Sequence, residues 1–307
     1  MKRILFFILS AMFVIASCSE KKSLPKGKGE KKGVQTTDTT MLRVAVMPTI
    51  DCLPLFVARE YGLYASEGVS VKLIPFQAQM DQDTAVERSR VDGAMTDLVR
   101  AEYMQRKHHL PLHYATATDA SWQMVTNKMA RITQKRHLTD KMIAVSRFSA
   151  TDLLADIVIA EAALDSNSVF KIQVNDVAVR LGMLQNKIMD ALLLPEPQAT
   201  VARMAGAPVL FDARDGDIRL GVLAFRRDAV QSVWRQHQVS SLMKAYDRAC
   251  DSINTHGVKK YRELIVRHCH VSPNVIDSLP KTLEFRHAEP PRPEDVQRAK
   301  AWLDTQP

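Results

Sequence analysis

The 307-residue sequence predicts an α/β fold, with mostly parallel sheets flanked by helices and a helical C-terminal third. Three observations carry that expectation. From Leu42 onward, short aliphatic and β-branched runs alternate with stretches of roughly 10–15 residues at helical spacing, the pattern of a parallel sheet covered on both faces. After Phe225 the strand-like runs stop and only helical spacing continues. The composition, 46% hydrophobic and 25% charged with few Gly, Pro and Cys, excludes collagen-like, disordered and disulfide-scaffold chains.

The elements follow in order. Leu42–Met47 reads as a buried strand ending at Pro48, and Leu53, Phe56, Val57, Tyr61 and Tyr64 recur at helical spacing. Pro54 stands in the first turn of that helix and Gly62 where a left-handed cap falls. Val69–Phe76 alternates as a strand, Asp81–Val91 is helical, and Asp92–Thr96 is a short strand. Leu98–His108 is a helix and Leu110–Thr116 a strand. A second unit repeats the rhythm, with strands at Trp122–Thr126, Met142–Ser146, Phe170–Val174, Ala191–Leu194 and Pro208–Phe211. Its helices are Asp152–Leu164, Val177–Ile188 and Gln198–Met204. Leu220–Phe225 is the last strand. Asp228 is placed to cap a helix that runs to Gly257, and Ser272-Pro273 and Pro293 mark two further helix starts.

The net charge of +8 is unevenly spread. Lys2 and Arg3 carry two charges, and six lysines against Glu20, Glu30 and Asp38 leave another three net over residues 18–41, so residues 42–307 hold only +3. That balance excludes a basic nucleic-acid-binding domain. Lys2 and Arg3 precede an apolar run, Ile4–Ile15, that is too short to cross a hydrocarbon core about 30 Å thick and fits an export signal over residues 1–17. The signal ends in Ile15-Ala16-Ser17-Cys18, which resembles the lipobox of bacterial lipoproteins and implies acylation of Cys18 and a membrane anchor. Residues 18–41, rich in Lys and Gly, read as a flexible tether with a typical reach of about 25 Å. The Gly27-Lys28-Gly29 run lacks the spacing of a phosphate-binding loop.

One stretch resembles a known family. Pro54-Leu55-Phe56-Val57-Ala58-Arg59-Glu60-Tyr61-Gly62-Leu63-Tyr64, then Gly68-Val69-Ser70-Val71, Asp81 with Ala85, and Val91-Asp92-Gly93-Ala94 are similar to the N-terminal third of type 2 periplasmic solute-binding proteins. The group is the one containing nitrate, sulfonate, taurine and thiamine-pyrimidine-precursor binders. Asp190-Ala191-Leu192-Leu193-Leu194-Pro195-Glu196-Pro197 is a weaker echo. The resemblance implies the two-lobed periplasmic binding protein type 2 fold, with residues 42–118 plus 222–307 in lobe I and 119–221 in lobe II. It also implies a monomer that traps a small-molecule solute between its lobes and delivers it to the permease of an ABC importer at the cell envelope.

In open α/β sheets ligands sit beyond the carboxyl ends of the strands. That rule makes Thr49, Asp51, Gln77, Asp81, Thr96, Asp97, Asp119, Trp122, Ser149, Thr151, Asn175 and Glu196 the candidate ligand-binding residues. Carboxylates dominate the set and Arg147 is the one cation beside it, which favours a neutral or cationic organic solute such as an aminopyrimidine. Ser149-Ala150-Thr151 reads either as a plain helix cap or as a seat for a sulfonate-like anion. Asp92 reads as a structural turn residue.

No G-x-S-x-G, H-E-x-x-H or C-x-x-C motif is present, and no cofactor or metal is expected. His108, His109 and His113, and His268 and His270, read as solvated helix-end residues. Beyond Cys18, Cys250 and Cys269 either pair, leaving Cys52 free, or all three are buried thiols. A solute receptor is therefore expected rather than an enzyme. A binder of sulfonate- or nitrate-type anions, or an enzyme on the same fold, is the alternative.

Overall fold

The computed structural model describes residues 41–306; Cys18, the export signal and nearly all of the tether lie outside the described residues. The first part of the chain forms β1 (Leu42–Val46), α1 (Leu53–Glu60), α2 (Leu63–Ser66), β2 (Val71–Pro75), α3 (Gln79–Glu87), β3 (Gly93–Asp97), α4 (Leu98–Lys107) and β4 (Leu112–Ala117). The middle forms β5 (Trp122–Thr126), β6 (Met142–Val145), α5 (Ala150–Glu161), β7 (Phe170–Gln173), α6 (Val177–Gln185), β8 (Ala191–Pro195), α7 (Gln198–Met204) and β9 (Val209–Asp212). The last part forms β10 (Gly221–Arg226), α8 (Val233–His256), α9 (Arg262–Cys269) and α10 (Pro293–Asp304), with short 3-10 turns between.

Two five-stranded sheets result, ordered β2-β1-β3-β10-β4 and β7-β6-β8-β5-β9. Each is parallel except for its fourth strand: β10 runs antiparallel to β3 and β4, and β5 antiparallel to β8 and β9. Both exceptions are the strands that enter a sheet directly after the chain has crossed from the other one, through residues 118–121 and 213–220. The crossings are tightly packed. A Cβ on Gly221 would press on the Thr118 hydroxyl and lie 2.6 Å from the Ala120 Cβ, so only glycine fits where the two connections touch.

Parallel strands covered on both faces must be apolar throughout, and the local sequences comply. Ala191–Pro195 is buried along its whole length, as is the antiparallel Gly221–Arg226 inside the first sheet. On one face of the first sheet, α1, α8 and α9 bury Phe56, Tyr246, Ile253 and Ile265 against Val44, Met95 and Phe225. Each such side chain contributes about 1.5–3 kcal/mol by leaving water. A second cluster runs from Ala94, Leu98 and Val222 through to Leu153, Val158 and Leu193 of the middle segment, so apolar packing links the two sheets.

The guanidinium of Arg226 explains the one misplaced cap. Asp228 was expected to start α8, but its carboxylate is held by the Arg226 guanidinium at 3.0 Å, and the helix begins at Val233 with the Ser232 hydroxyl accepting from Arg235 N at 3.2 Å. Gly62 takes the expected left-handed conformation, φ 68°. Ser272-Pro273 opens a 3-10 turn. Asp92 is buried and pinned by Arg43, whose Nη2 lies 2.6 Å from Oδ1. Cys52, Cys250 and Cys269 are buried free thiols, so the pairing left open between Cys250 and Cys269 is not made.

Candidate functional site

The loops at the carboxyl ends of the strands meet between the two sheets, and polar contacts tie the sides together. Ile50 N donates to the Glu196 carbonyl at 2.9 Å and Gln198 Nε2 to the Pro48 carbonyl at 2.7 Å. Across the opening, Ala78 and Asp176 form an isolated antiparallel bridge, and Asn175 Nδ2 lies 2.8 Å from Met80 Sδ. Arg100 Nη1 donates to the Arg147 carbonyl at 3.0 Å, and Ala150 N to Asp97 Oδ1 at 3.0 Å.

These contacts close over a cavity of about 50 Å³ whose walls include Thr49, Asp51, Thr96, Asp97, Trp122, Thr151 and Arg180. Six of the twelve candidate residues converge there. The other six lie elsewhere. Gln77 and Asp81 are exposed, with Gln77 3.3 Å from His270 Nε2. Asn175 sits at the rim against Met80. Ser149 is fully buried as the cap of α5, its hydroxyl accepting from Thr151 N at 3.1 Å and donating to the Ser146 carbonyl at 2.7 Å. Asp119 and Glu196 line a larger cavity of about 240 Å³ beside the two connections that cross between the sheets.

The carboxylates differ in how far the protein has already satisfied them. Asp97 caps α4 by accepting from Arg100 N at 2.9 Å, and also takes Gln79 Nε2 at 2.7 Å and Ala150 N. Asp119 accepts from Arg286 N at 2.8 Å and pairs with its guanidinium. Glu196 accepts from Thr200 N at 3.0 Å and from Arg203 Nη1 at 2.9 Å. Asp51 is the least engaged, with the Thr118 hydroxyl at 3.5 Å. Burial raises its carboxyl above the usual range, opposed by its hydrogen bond from Thr49. Burial also raises Asp97 and Asp119.

Arg180 was not among the candidates, because it lies inside α6 rather than at a strand end. Its helix is capped by Asp176, whose Oδ1 accepts from Val179 N at 2.9 Å. The spacing of Val177, Arg180 and Leu184 puts all three on the buried stripe of α6, a signal already present in the sequence. The side chain is 3% exposed, and its Nε and Nη1 have no hydrogen-bond partner. Burial pushes its pKa below the usual guanidinium range to about 10, with the charge of Asp176 opposing. The Thr96 hydroxyl on the same cavity wall is likewise buried without a partner. A buried unpaired donor costs about 1–3 kcal/mol, more when charged. Two unpartnered Arg180 nitrogens and the unpartnered Thr96 hydroxyl thus belong to residues of the cavity wall, beside the Trp122 ring and the lightly hydrogen-bonded Asp51 carboxyl. Arg147, the cation expected near the site, is exposed and stacks on Phe148 at 5.2 Å.

Among the described residues no three His, Cys, Asp or Glu side chains are grouped to hold a metal ion. His268 stacks on Phe56 at 4.1 Å with Arg59 Nη2 2.8 Å from its Nε2. Cys52, behind Thr49 and Asp51, is a protonated thiol whose pKa burial drives well above 9.

Comparison with known proteins follows from this geometry. No curated protein sequence matches the chain. An alkanesulfonate-binding protein from Xanthomonas axonopodis pv. citri, solved bound to MOPS, superposes with a TM-score of 0.74 at 15% identity, covering 86% of this chain and 91% of that one. A protein of Bordetella bronchiseptica RB50 gives 0.72 at 19% identity, over 87% and 90% of the two chains. The periplasmic nitrate-binding protein of Synechocystis PCC 6803 gives 0.69 at 14%, over 82% and 74%. At these identities the likeness establishes the fold, two lobes of the periplasmic binding protein type. The profile of the NMT1-like family matches residues 35–266, and the chain belongs to that family.

Proposed function

We propose that the protein is a solute receptor that closes its two lobes on a small organic molecule bearing an oxyanion and passes it to the permease of an ABC importer. The observation that carries this reading is Arg180: it is 3% exposed, lines the interlobe cavity, and has two guanidinium nitrogens without a partner. Planar donor pairs of this kind match sulfonate, carboxylate or nitrate oxygens. The abundance of carboxylates had favoured a neutral or cationic solute. Asp97, Asp119 and Glu196 are already held by protein donors, so their charge is not free for a ligand. Asp51 still suits an amine or hydroxyl elsewhere on the same solute.

The fold of the alkanesulfonate- and nitrate-binding proteins supports this assignment, and the export signal with Cys18 supports a lipid-anchored receptor facing the periplasm. A melting-temperature screen tests the reading with ethanesulfonate, 2-aminoethanesulfonate, nitrate and 4-aminopyrimidine. Oxyanions are expected to raise the melting point, and the Arg180→Met variant to lose the effect. A rise with 4-aminopyrimidine alone would refute the oxyanion assignment.

A further inference from the structure

We infer that Asp97 is a resident anion that determines where a solute can bind: its carboxylate occupies the N-terminus of α5, so the anionic group of the solute is directed to Arg180. The inference rests on the oxyanion reading above. A helix of twelve residues with free amides at its start is a ready seat for an oxyanion. In this protein every amide of that first turn is taken. Ala150 N donates to Asp97 Oδ1 at 3.0 Å, Thr151 N to the Ser149 hydroxyl at 3.1 Å, and Asp152 N to the Ser149 carbonyl at 3.0 Å.

Only the first of these bonds comes from the opposite sheet. Asp97 is the last residue of β3 and the cap of α4, so one carboxylate serves the N-termini of two helices that belong to different lobes. Gln79 Nε2, at 2.7 Å from Oδ2, fixes the carboxylate from its other side. Asp97 is 2% exposed and forms part of the cavity wall together with Arg180 and Thr96. A fixed negative charge there repels a second anion from α5. The unpartnered Arg180 nitrogens and Thr96 hydroxyl are then donors of the cavity wall still without a partner, and only Arg180 among them carries a charge.

The test is an amide-resolved NMR titration of the full chain with ethanesulfonate. In the unmodified protein the Arg180 Nε–H resonance should move and the Ala150 amide should not. Asp97→Ser keeps a good cap for α4 but is too short to reach Ala150 and carries no charge. In that variant the Ala150 amide should shift on titration and ethanesulfonate should bind at least threefold more tightly. A shift at Ala150 in the unmodified protein as large as that at Arg180 overturns the inference alone, as does an Asp97→Ser variant with neither change. No response at Arg180 in the unmodified protein overturns the oxyanion reading and this inference with it. Should Asp97→Ser fail to fold, Asp97→Asn carries the test through charge alone: tighter binding supports the inference and unchanged binding overturns it.

Discussion

Replacing Arg180 by methionine separates the cost of the site from its use. Burial lowers the guanidinium pKa below its usual range to about 10. At about 1.4 kcal/mol per unit, roughly 3 kcal/mol of folding stability is forgone to keep this charge inside. The folded-state value lies below the unfolded one, so the unfolded chain binds the extra proton. The penalty is complete at every pH below about 10 and fades only as pH rises from there towards the usual guanidinium range. Methionine conserves much of the volume without charge, and removing an unpaired buried charge in favour of an apolar side chain is stabilising. Taking about 2 cal/mol/K per residue for the entropy of unfolding, a gain of roughly 3 kcal/mol raises the melting temperature by about 5 °C. The same substitution should abolish the gain given by ethanesulfonate, which at a hundredfold excess over Kd is about 2.7 kcal/mol in the unmodified protein. Differential scanning calorimetry with and without ethanesulfonate reads both effects. A variant that melts lower than the parent and still responds to the sulfonate would refute the reasoning at both steps.

Further outcomes are expected. Arg100→Ala should cost about 3–5 kcal/mol in urea unfolding, because it leaves the buried Asp83 carboxylate without its guanidinium and removes the donor to the Arg147 carbonyl. His268 has its pKa lowered to about 4 by burial and by the charges of Arg59 and Arg267. The folded state thus keeps it neutral, and its contribution is complete above pH 6.5 and lost as pH falls from 6.5 to about 4; His268→Gln should flatten that limb of a melting-temperature profile. Cys52, Cys250 and Cys269 should resist a thiol reagent in the native protein and all react after unfolding without reductant, and a missing equivalent would contradict their free state. Gly221→Val should force Thr118 and Ala120 away and diminish any solute-induced rise in melting temperature, with far-UV circular dichroism reporting whether the fold is kept.

Much of the architecture was legible because it follows from periodicity. Buried parallel strands such as Ala191–Pro195 and β-branched runs such as Leu42–Val46 announce themselves within five residues. The cap of α8 was misplaced for a reason that local sequence does not hold. Asp228 and Ser232 are both good caps, and the choice was made by Arg226, whose guanidinium is anchored to the Val91 carbonyl 135 positions away and holds the Asp228 carboxylate. The candidate cavity was legible only in part. The rule about strand ends located Thr49, Asp51, Thr96, Asp97, Trp122 and Thr151, since strand polarity fixes where those loops converge. It could not tell which carboxylates the protein had already satisfied: the Arg286 that holds Asp119 lies 167 residues away in sequence. Arg180 was passed over because a single arginine within Val177–Leu184 looks like any helix residue until the stripe it shares with Val177 and Leu184 is drawn.

The place of the antiparallel strands bears on the order in which the chain assembles. β4 pairs with β10 alone, and β9 with β5 alone. Everything the second sheet needs lies between Trp122 and Asp212, an uninterrupted segment. The first sheet instead leaves β4 without a ladder partner until Gly221–Arg226 has been made, more than a hundred residues later. Contacts that close long loops form late. The second sheet can therefore complete its ladder within one uninterrupted segment, whereas the first keeps its β3 edge open until the chain returns as β10.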